Sequence, residues 1–412
     1  MKRSLHNNIK TIYLIGFFQS FMVVIPVFVP LLQGHGLSMS QVLQTQALFA
    51  LTIALCEVPS GYIADMWGRR NAILVGSALN ALGFFSLLWA DSFVDFLLYE
   101  LILGIGFSLI SGADLALLYD TELYLADNGV PGGAGAGKSL SRLISIEAAA
   151  SGIGGIVASV LLFWSLELVV AVQAFTGFLP ALLGLTLLEV PRAKGQGHAA
   201  EGNHSDNAKR IADVLLFGKP VVLWTAFAIA VFGLLAIYVF WIYQKYWELQ
   251  GVPLNWFGFI WAAFALTVSV SARYSDALEK RLGTRGLLVL IATLPLLGLL
   301  GMAFGAGWLG VMFGFAIQFS RGVSMSLFYE ALNSRVPGEF RATINSLVNL
   351  GIRAIFIVSG PVLGVALDSM GMSNTLIALA MVFTPLMGLV LVPLVGRIRR
   401  EATQESTATA TA

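Results

Sequence analysis

The sequence predicts an all-α membrane protein, with twelve transmembrane helices in two pseudo-symmetric six-helix bundles. Composition is the first reason, because 57% of the 412 residues are hydrophobic and only 11% are charged, whereas about 25% of a typical soluble protein is charged. The second reason is that the apolar residues form long separate stretches, and the third is that Lys and Arg gather between alternate pairs of these stretches. Such a chain is suited to lipid rather than to water.

The apolar stretches each have the length of about 20 residues that crosses a bilayer core. The first follows a basic start and has no small-residue cleavage site behind it, so we interpret it as a retained membrane helix and not as a signal peptide. We number the stretches as spans 1 to 12, at approximately 11–32, 42–64, 72–90, 95–119, 141–163, 167–189, 220–243, 256–274, 286–303, 306–330, 342–367 and 374–396.

A polar connection separates the spans into six and six. The sequence therefore predicts an N-terminal bundle (1–189), a central cytoplasmic loop (190–219) and a C-terminal bundle (220–397). The low-complexity end of the chain (398–412) is expected to be a disordered cytoplasmic tail.

The positive charges define two sides of the molecule. All Lys and Arg residues except Lys245, Arg321 and Arg353 fall at the termini or at the even-numbered connections between spans. We term this the basic side, and the odd-numbered connections form the opposite side. Because cytoplasmic loops are enriched in Lys and Arg, the sequence predicts a multi-pass protein of the inner (cytoplasmic) membrane with both termini in the cytoplasm.

The two halves of the chain repeat a short segment. SGADLALLYD (111–120) ends span 4, and RGVSMSLFYE (321–330) ends span 10, the equivalent position in the second half. Such a match indicates duplication, which is the usual plan of secondary transporters.

The connection between spans 2 and 3, GYIADMWGRRNAI (61–73), resembles the signature of the major facilitator superfamily, G-x-L-A-D-R-x-G-R-R/K-x-x-L/I. Met66 departs from it by replacing the usual basic residue. The residues that fit are Gly61, Ala64, Asp65, Gly68, Arg69, Arg70 and Ile73. Together with the twelve spans and the central loop, the resemblance extends over nearly the whole chain and implies a secondary transporter that works by alternating access.

The resemblance also implies a conformational latch. Asp65 would join the two halves near the start of span 11, and Arg69 would meet an acid at the end of span 4, here Asp120. The second half has a degenerate copy, LEKRLGTRGLL, in which Arg285 could meet Glu330. The alternative interpretation is that the motif supplies only positive charge and a tight turn.

Ionisable side chains inside membrane spans are costly, so each is a functional candidate. The resemblance implies that spans 1, 4, 7 and 10 line a central cavity, towards which Asp114 and Arg321 would point. Glu57 and Arg353 could pair where spans 2 and 11 meet, or could form a static pair that fixes helix register. We expect Glu100 or Asp114 to carry a proton. The full set of candidates is Glu57, Glu100, Asp114, Glu147, Arg321 and Arg353.

Two glycine-containing segments look alike, SGIGGIVAS (151–159) in span 5 and GPVLG (360–364) in span 11. Drug antiporters of the resembled family often carry G-P-x-x-G-G in span 5. Gly154 and Gly155 fit this pattern, but Ala150 and Ser151 replace its Gly-Pro. The antiporter signature is incomplete, and the glycines also suit close helix packing.

The sequence thus predicts a secondary active transporter of a small organic solute, coupled to protons, monomeric, and with no cofactor or metal. Few polar groups in the expected lining favour efflux of an amphipathic compound. Arg321 and Arg353 would instead suit uptake or exchange of an anionic metabolite, and a non-transporting sensor of the same fold is the third alternative. Nucleic-acid binding is not expected, because the sequence has no basic stripe.

An enzyme alternative rests on PGGAGAGKSL (131–140), which contains the G-x-x-x-x-G-K-S pattern of phosphate-binding loops. That pattern needs a buried strand before it and a helix of a soluble domain after it. The sequence has neither, since span 5 follows at once. We therefore predict a glycine-rich connection and not a nucleotide hydrolase.

Overall fold

A computed structural model of the chain describes residues 2–128, 136–190 and 220–411. The described residues are helical, with no strand among them, which confirms the all-α membrane fold. Within the described residues, twelve helical segments are long and apolar enough to cross a membrane. They are Leu5–Gly34, Met39–Trp67, Arg69–Trp89, Phe93–Asp127, Gly137–Leu161, Leu166–Gly184, Pro220–Leu249, Leu254–Arg273, Ser275–Phe304, Gly307–Asn333, Thr343–Met370 and Met372–Ile398.

Three of these spans consist of two helices. Span 1 is broken before Pro26, whose ring nitrogen has no proton to donate. Span 4 is broken at Gly112, whose positive φ of 86° ends one helix and starts the next. Span 6 resumes beside Pro180 at the start of its second helix. The helices are Lys2–Ser20 and Phe28–Gly34 in span 1, Phe93–Ile110 and Ala113–Asp127 in span 4, and Leu166–Thr176 and Leu179–Gly184 in span 6.

The other spans are built on single helices. The helix of span 3 has Gly68 as its N-cap, and the helix of span 9 bends at Gly283, which has a φ of 68°. Their bounds are Met39–Trp67, Arg69–Ser86, Ala136–Leu161, Pro220–Leu249, Phe257–Arg273, Ser275–Phe304, Gly307–Asn333, Arg341–Met370 and Met372–Thr411.

The last helix runs on to Thr411, through the segment 398–411. The disorder that the sequence predicts for this segment stays a prediction. Ala, Glu and Gln are good helix formers and the segment has neither Pro nor Gly, so nothing in its backbone chemistry stops the helix of span 12 from continuing.

The chain divides into two compact units. The first contains the described part of Met1–Ala193 with Trp247–Ala265 and Ile357–Asp368, and the second contains the described part of Lys194–Tyr246 with Leu266–Phe356 and Ser369–Ala412. The division into bundles 1–189 and 220–397 stays a prediction, and residues 191–219 of the central loop lie outside the described residues. The first unit has a buried cluster that joins span 1 to spans 3 to 6, including Leu5, Ile12, Ile73, Leu117, Leu143 and Leu187.

Candidate functional site

The connection between spans 2 and 3 brings two predicted latch residues together. Gly68 turns the chain with a φ of 94°, a conformation that only glycine adopts at low cost. Span 3 therefore begins at Arg69, whose guanidinium forms an ion pair with Asp120 of span 4. The same guanidinium donates a hydrogen bond of 2.7 Å to the main-chain oxygen of Ala116. Arg69 is thus fixed to the last helix of span 4 by a charged and a main-chain acceptor.

Glu189, which the sequence analysis did not single out, is part of this arrangement. Its two carboxylate oxygens accept hydrogen bonds from the main-chain nitrogens of Arg69 (3.0 Å) and Arg70 (2.9 Å). A carboxylate is favoured there, because the first N–H groups of a helix lack partners inside the helix and carry partial positive charge. The Arg70 guanidinium also donates to the main-chain oxygen of Leu185, 3.3 Å away. The end of span 6 therefore holds the start of span 3.

The pair predicted in the second half shows no ion pair of this kind. Arg285 and Glu330 are both exposed, and no ion pair joins them within the described part of the chain. The register explains the difference, because the residue after the turning glycine is Arg69 in the first half but Thr284, after Gly283, in the second.

Gly61 and Asp65 lie in the last two turns of span 2, and both are exposed. The contact of Asp65 with the start of span 11 stays a prediction.

A cavity of about 490 Å³ lies in the second unit among spans 7, 10 and 11. It contains both arginines predicted within the spans, Arg321 and Arg353. Its other polar groups come from Ser324, Tyr329 and Asn349, and the Tyr329 hydroxyl donates to the Asn349 amide oxygen at 3.0 Å. No carboxylate is among the described residues that line it. The described lining of the cavity therefore includes two arginines and no acidic residue.

The walls of this cavity are largely apolar and aromatic. Phe232, Phe240 and Trp241 of span 7 contribute, together with Phe328 of span 10. Gly233 allows span 7 to approach span 11, because a Cβ there would lie 2.8 Å from the Cδ1 atom of Ile352. Walls of this kind with a few polar groups are typical of small-molecule sites.

Two predicted acids lie near each other in the first unit. Asp114 lies at the start of the second helix of span 4, where its carboxylate accepts a hydrogen bond of 2.7 Å from the main-chain nitrogen of Leu115. Glu147 of span 5 lies close enough to Asp114 for their carboxyl groups to interact electrostatically. Glu147 also faces span 1, since a Cβ on Gly16 would be 3.3 Å from its Oε1 atom. Two neighbouring carboxyl groups of spans 4 and 5 thus lie beside span 1, and both are half-buried.

Glu100 has a different environment. It is buried in the first unit, and its carboxyl group accepts a hydrogen bond from the side-chain amide of Gln46 in span 2. Spans 2 and 4 approach closely one turn further along, where a Cβ on Gly104 would lie 2.7 Å from the Cβ atom of Thr52. Glu100 is therefore held between two packed helices.

Glu57 and Arg353 are both partly buried on their own spans, and their pairing stays a prediction.

The phosphate-loop pattern does not fold into a phosphate-binding loop at its described end. Lys138 and Ser139 belong to the helix Ala136–Leu161, and the first glycine of the pattern lies outside the described residues. The Ser139 hydroxyl is buried and donates to the carboxylate of Glu122. In a phosphate-binding loop this hydroxyl would face a magnesium ion instead. Among the described residues, no His, Cys, Asp and Glu side chains gather as a metal site.

Comparisons with known proteins agree with this geometry. The family model of the Major Facilitator Superfamily matches residues 3–124 and 130–361. No curated protein matches the sequence. Among solved structures, a point mutant of the nucleoside transporter NupG is similar with a TM-score of 0.72 at 14% identity, over 96% of this chain and 99% of that one.

Two further structures show the same fold. A bacterial homologue of the human lysosomal transporter Spinster has a TM-score of 0.68 at 18% identity, over 96% of each chain. A D-xylose–proton symporter has a TM-score of 0.68 at 14% identity, over 94% of this chain and 96% of that one. At these identities the similarity shows the fold alone.

Proposed function

Because the chain belongs to the Major Facilitator Superfamily, we propose that it is a secondary active transporter that moves a small organic anion with an apolar body by alternating access. The observation that carries this proposal is the cavity of spans 7, 10 and 11, with Arg321 and Arg353 and no carboxylate among its described lining residues. A guanidinium binds carboxylate or phosphate groups through two parallel hydrogen bonds. The aromatic walls then suit the apolar part of the solute.

The test is a transport screen in proteoliposomes with an imposed pH gradient. The panel contains anionic, neutral and cationic organic solutes of similar size. We expect an anion to be moved, and Arg321→Gln and Arg353→Gln each to reduce its transport by about tenfold or more, because each removes a charge-assisted hydrogen bond. Arg281→Gln, at an exposed position on the basic side, is the control and should transport normally. Transport of neutral or cationic solutes that survives both cavity substitutions would contradict the proposal. Movement of no solute at all would favour the non-transporting sensor.

Asp114 and Glu147 are the proposed proton site of this transporter. The proposal is supported by their electrostatic contact and by their position on two different spans beside Gly16 of a third. Two carboxyl groups that interact electrostatically titrate as a coupled pair. We expect Asp114→Asn and Glu147→Gln to abolish accumulation driven by a pH gradient. Exchange of labelled for unlabelled solute, which needs no proton movement, should remain.

We also propose an orientation in the membrane and a direction of transport. The basic side is proposed to face the cytoplasm, with both termini there, in the inner membrane. The apolar walls of the cavity favour efflux of the solute against proton entry. Reversing the pH gradient in the same proteoliposomes tests this, because an antiporter accumulates solute on the more acidic side and a symporter on the more alkaline side.

A further inference from the structure

On the opposite side of the first unit, a carboxylate from the end of span 11 holds the start of span 2. Asp368 Oδ1 accepts a hydrogen bond from the main-chain nitrogen of Met39 at 3.0 Å, and its Oδ2 accepts one from Ser40 at 2.8 Å. The Ser38 hydroxyl accepts from the next nitrogen, that of Gln41, at 3.2 Å. The first free N–H groups of span 2 are therefore satisfied, and two of them depend on a residue more than three hundred positions away in the sequence.

A glycine one helical turn before the carboxylate brings the two backbones together. A Cβ on Gly364 would lie 2.8 Å from the main-chain oxygen of Met39, closer than real Cβ atoms come. Span 11 therefore touches the start of span 2 with bare backbone, and Asp368 follows four residues later on the same helix face. The contact is built by this pair of residues.

The same device occurs a second time in the first unit. The Ser159 hydroxyl, at the end of span 5, accepts a hydrogen bond of 2.9 Å from the main-chain nitrogen of Phe259, at the start of span 8. Gly155 precedes Ser159 by four residues, and a Cβ on it would lie 2.9 Å from the main-chain oxygen of Gly258. The segments GIVAS (155–159) and GVALD (364–368) thus share one pattern, a glycine followed four residues later by a helix-capping acceptor. This gives a structural meaning to the likeness between the two glycine-containing segments.

We propose that Gly364 and Asp368, with the main-chain nitrogens of Met39 and Ser40, form a clasp that keeps spans 2 and 11 together on the opposite side and must release during transport. A carboxylate at a helix N-terminus is well suited to this role. It binds the N–H groups and the helix dipole when closed, and in the open state both partners are exposed and can be hydrated. The clasp is the counterpart of the latch predicted for Asp65. In the latch, on the basic side, an acid at the end of span 2 would face the start of span 11. In the clasp, on the opposite side, an acid at the end of span 11 faces the start of span 2.

The proposal rests on alternating access, but it can be tested without a substrate. The only cysteine, Cys56, is replaced by Ser, and Ser159→Cys is introduced as a reporter, because position 159 is buried at the second contact. The rate at which a water-soluble maleimide labels this thiol in detergent-purified protein measures how often the opposite side opens. Asp368→Asn and Asp368→Ala are compared with the reporter background.

We expect Asp368→Ala to raise the labelling rate by about fivefold or more, because the closed state loses a charged helix cap. Asp368→Asn should raise it less, since one oxygen acceptor remains. Asp95→Asn is the matched control: Asp95 also caps a helix on the opposite side, but only its own helix, through Ser92. It should lower thermal stability and leave labelling unchanged.

An unchanged labelling rate in a folded, monodisperse Asp368→Ala protein would overturn the clasp. An equal rise in the Asp95→Asn control would also overturn it, because loss of any cap would then open the protein. If Asp368→Ala raises the labelling rate but the transport screen finds no transported anion, the anion proposal is rejected and the clasp is retained.

Discussion

Asp120, in the last helix of span 4, forms an ion pair with Arg69, the first residue of span 3. The two side chains are 26% and 20% exposed, and an ion pair with that access to water contributes only about 1 kcal/mol or less to stability. The pair therefore contributes little to the free energy of unfolding, and its role is to position the Arg69 side chain.

We accordingly expect Asp120→Asn to lower transport about fivefold or more while changing the free energy of unfolding by less than about 1 kcal/mol. Uptake into proteoliposomes and thermal unfolding of the purified protein provide the two measurements. Asp127→Asn, at an exposed position in the last turn of the same helix, controls for loss of negative charge. Full transport by Asp120→Asn would reduce the motif to a tight turn with positive charges.

Replacement of Glu189, in contrast, should lower the free energy of unfolding. Its carboxylate bonds two main-chain nitrogens at the start of span 3, so Glu189→Ala leaves both helix N–H groups without that acceptor. We expect the free energy of unfolding to fall by roughly 1–2 kcal/mol, and Glu189→Gln, which keeps one acceptor oxygen, to lose less. Thermal unfolding beside an Asp127→Ala control would show this. A Glu189→Ala protein as stable as the unmodified one would mean that water replaces the carboxylate at no cost.

The equivalent glycines of the repeated segment should respond differently to alanine. Gly112 breaks span 4 with a φ of 86° and has open space around it, so Gly112→Ala meets no atom but strains the backbone. Gly322 stays inside the helix of span 10, where a Cβ would strike the side chain of Ser271 and the main chain of Val268 in span 8.

We therefore expect Gly322→Ala to destabilise the protein by about 1–3 kcal/mol through overpacking, and Gly112→Ala by about 1–2 kcal/mol through strain in the left-handed region. A second substitution separates the two mechanisms. Ser271→Ala should partly rescue Gly322→Ala by removing the hydroxyl in its way, and it should do nothing for Gly112→Ala. Equal effects of Ser271→Ala on both glycine variants would contradict this assignment.

The sequence predicted the spans well, because a run of about 20 apolar residues is a property of the chain alone. It predicted the meeting of Arg69 and Asp120 through the family motif. It did not predict Glu189 or Asp368, because a carboxylate that caps a distant helix has no local pattern: the N–H groups it bonds belong to residues about 120 and 330 positions away, and only tertiary packing pairs them.

The two halves differ by one residue of register at the turning glycine. Arg285 follows Thr284 after the turning glycine Gly283, whereas Arg69 follows Gly68 directly. A shift of one position on a helix rotates a side chain by about 100°, so the pairing of Arg285 with Glu330 stays a prediction.

The last prediction concerns Glu100. Its surroundings distinguish a role in helix packing from a role as proton carrier, which the sequence could not do. It receives a hydrogen bond from Gln46 inside a packed contact between spans 2 and 4, and it is not among the lining of the arginine cavity. A glutamine at position 100 still offers an oxygen to Gln46. We therefore expect Glu100→Gln to keep proton-driven transport within about twofold, whereas Gln46→Leu removes the donor and lowers stability by about 1–3 kcal/mol.

The measurement is accumulation driven by a pH gradient, with Glu100→Gln assayed beside Asp114→Asn and Glu147→Gln at matched protein density. Glu100→Gln is the matched control for the other two, since each substitution replaces one acid within a span by its amide. Loss of gradient-driven transport in Glu100→Gln, with full activity in the other two, would move the proton site to the contact of spans 2 and 4. It would also make Gln46, whose amide donates to that carboxyl group, part of the coupling machinery, because breaking and remaking that bond would then accompany each proton.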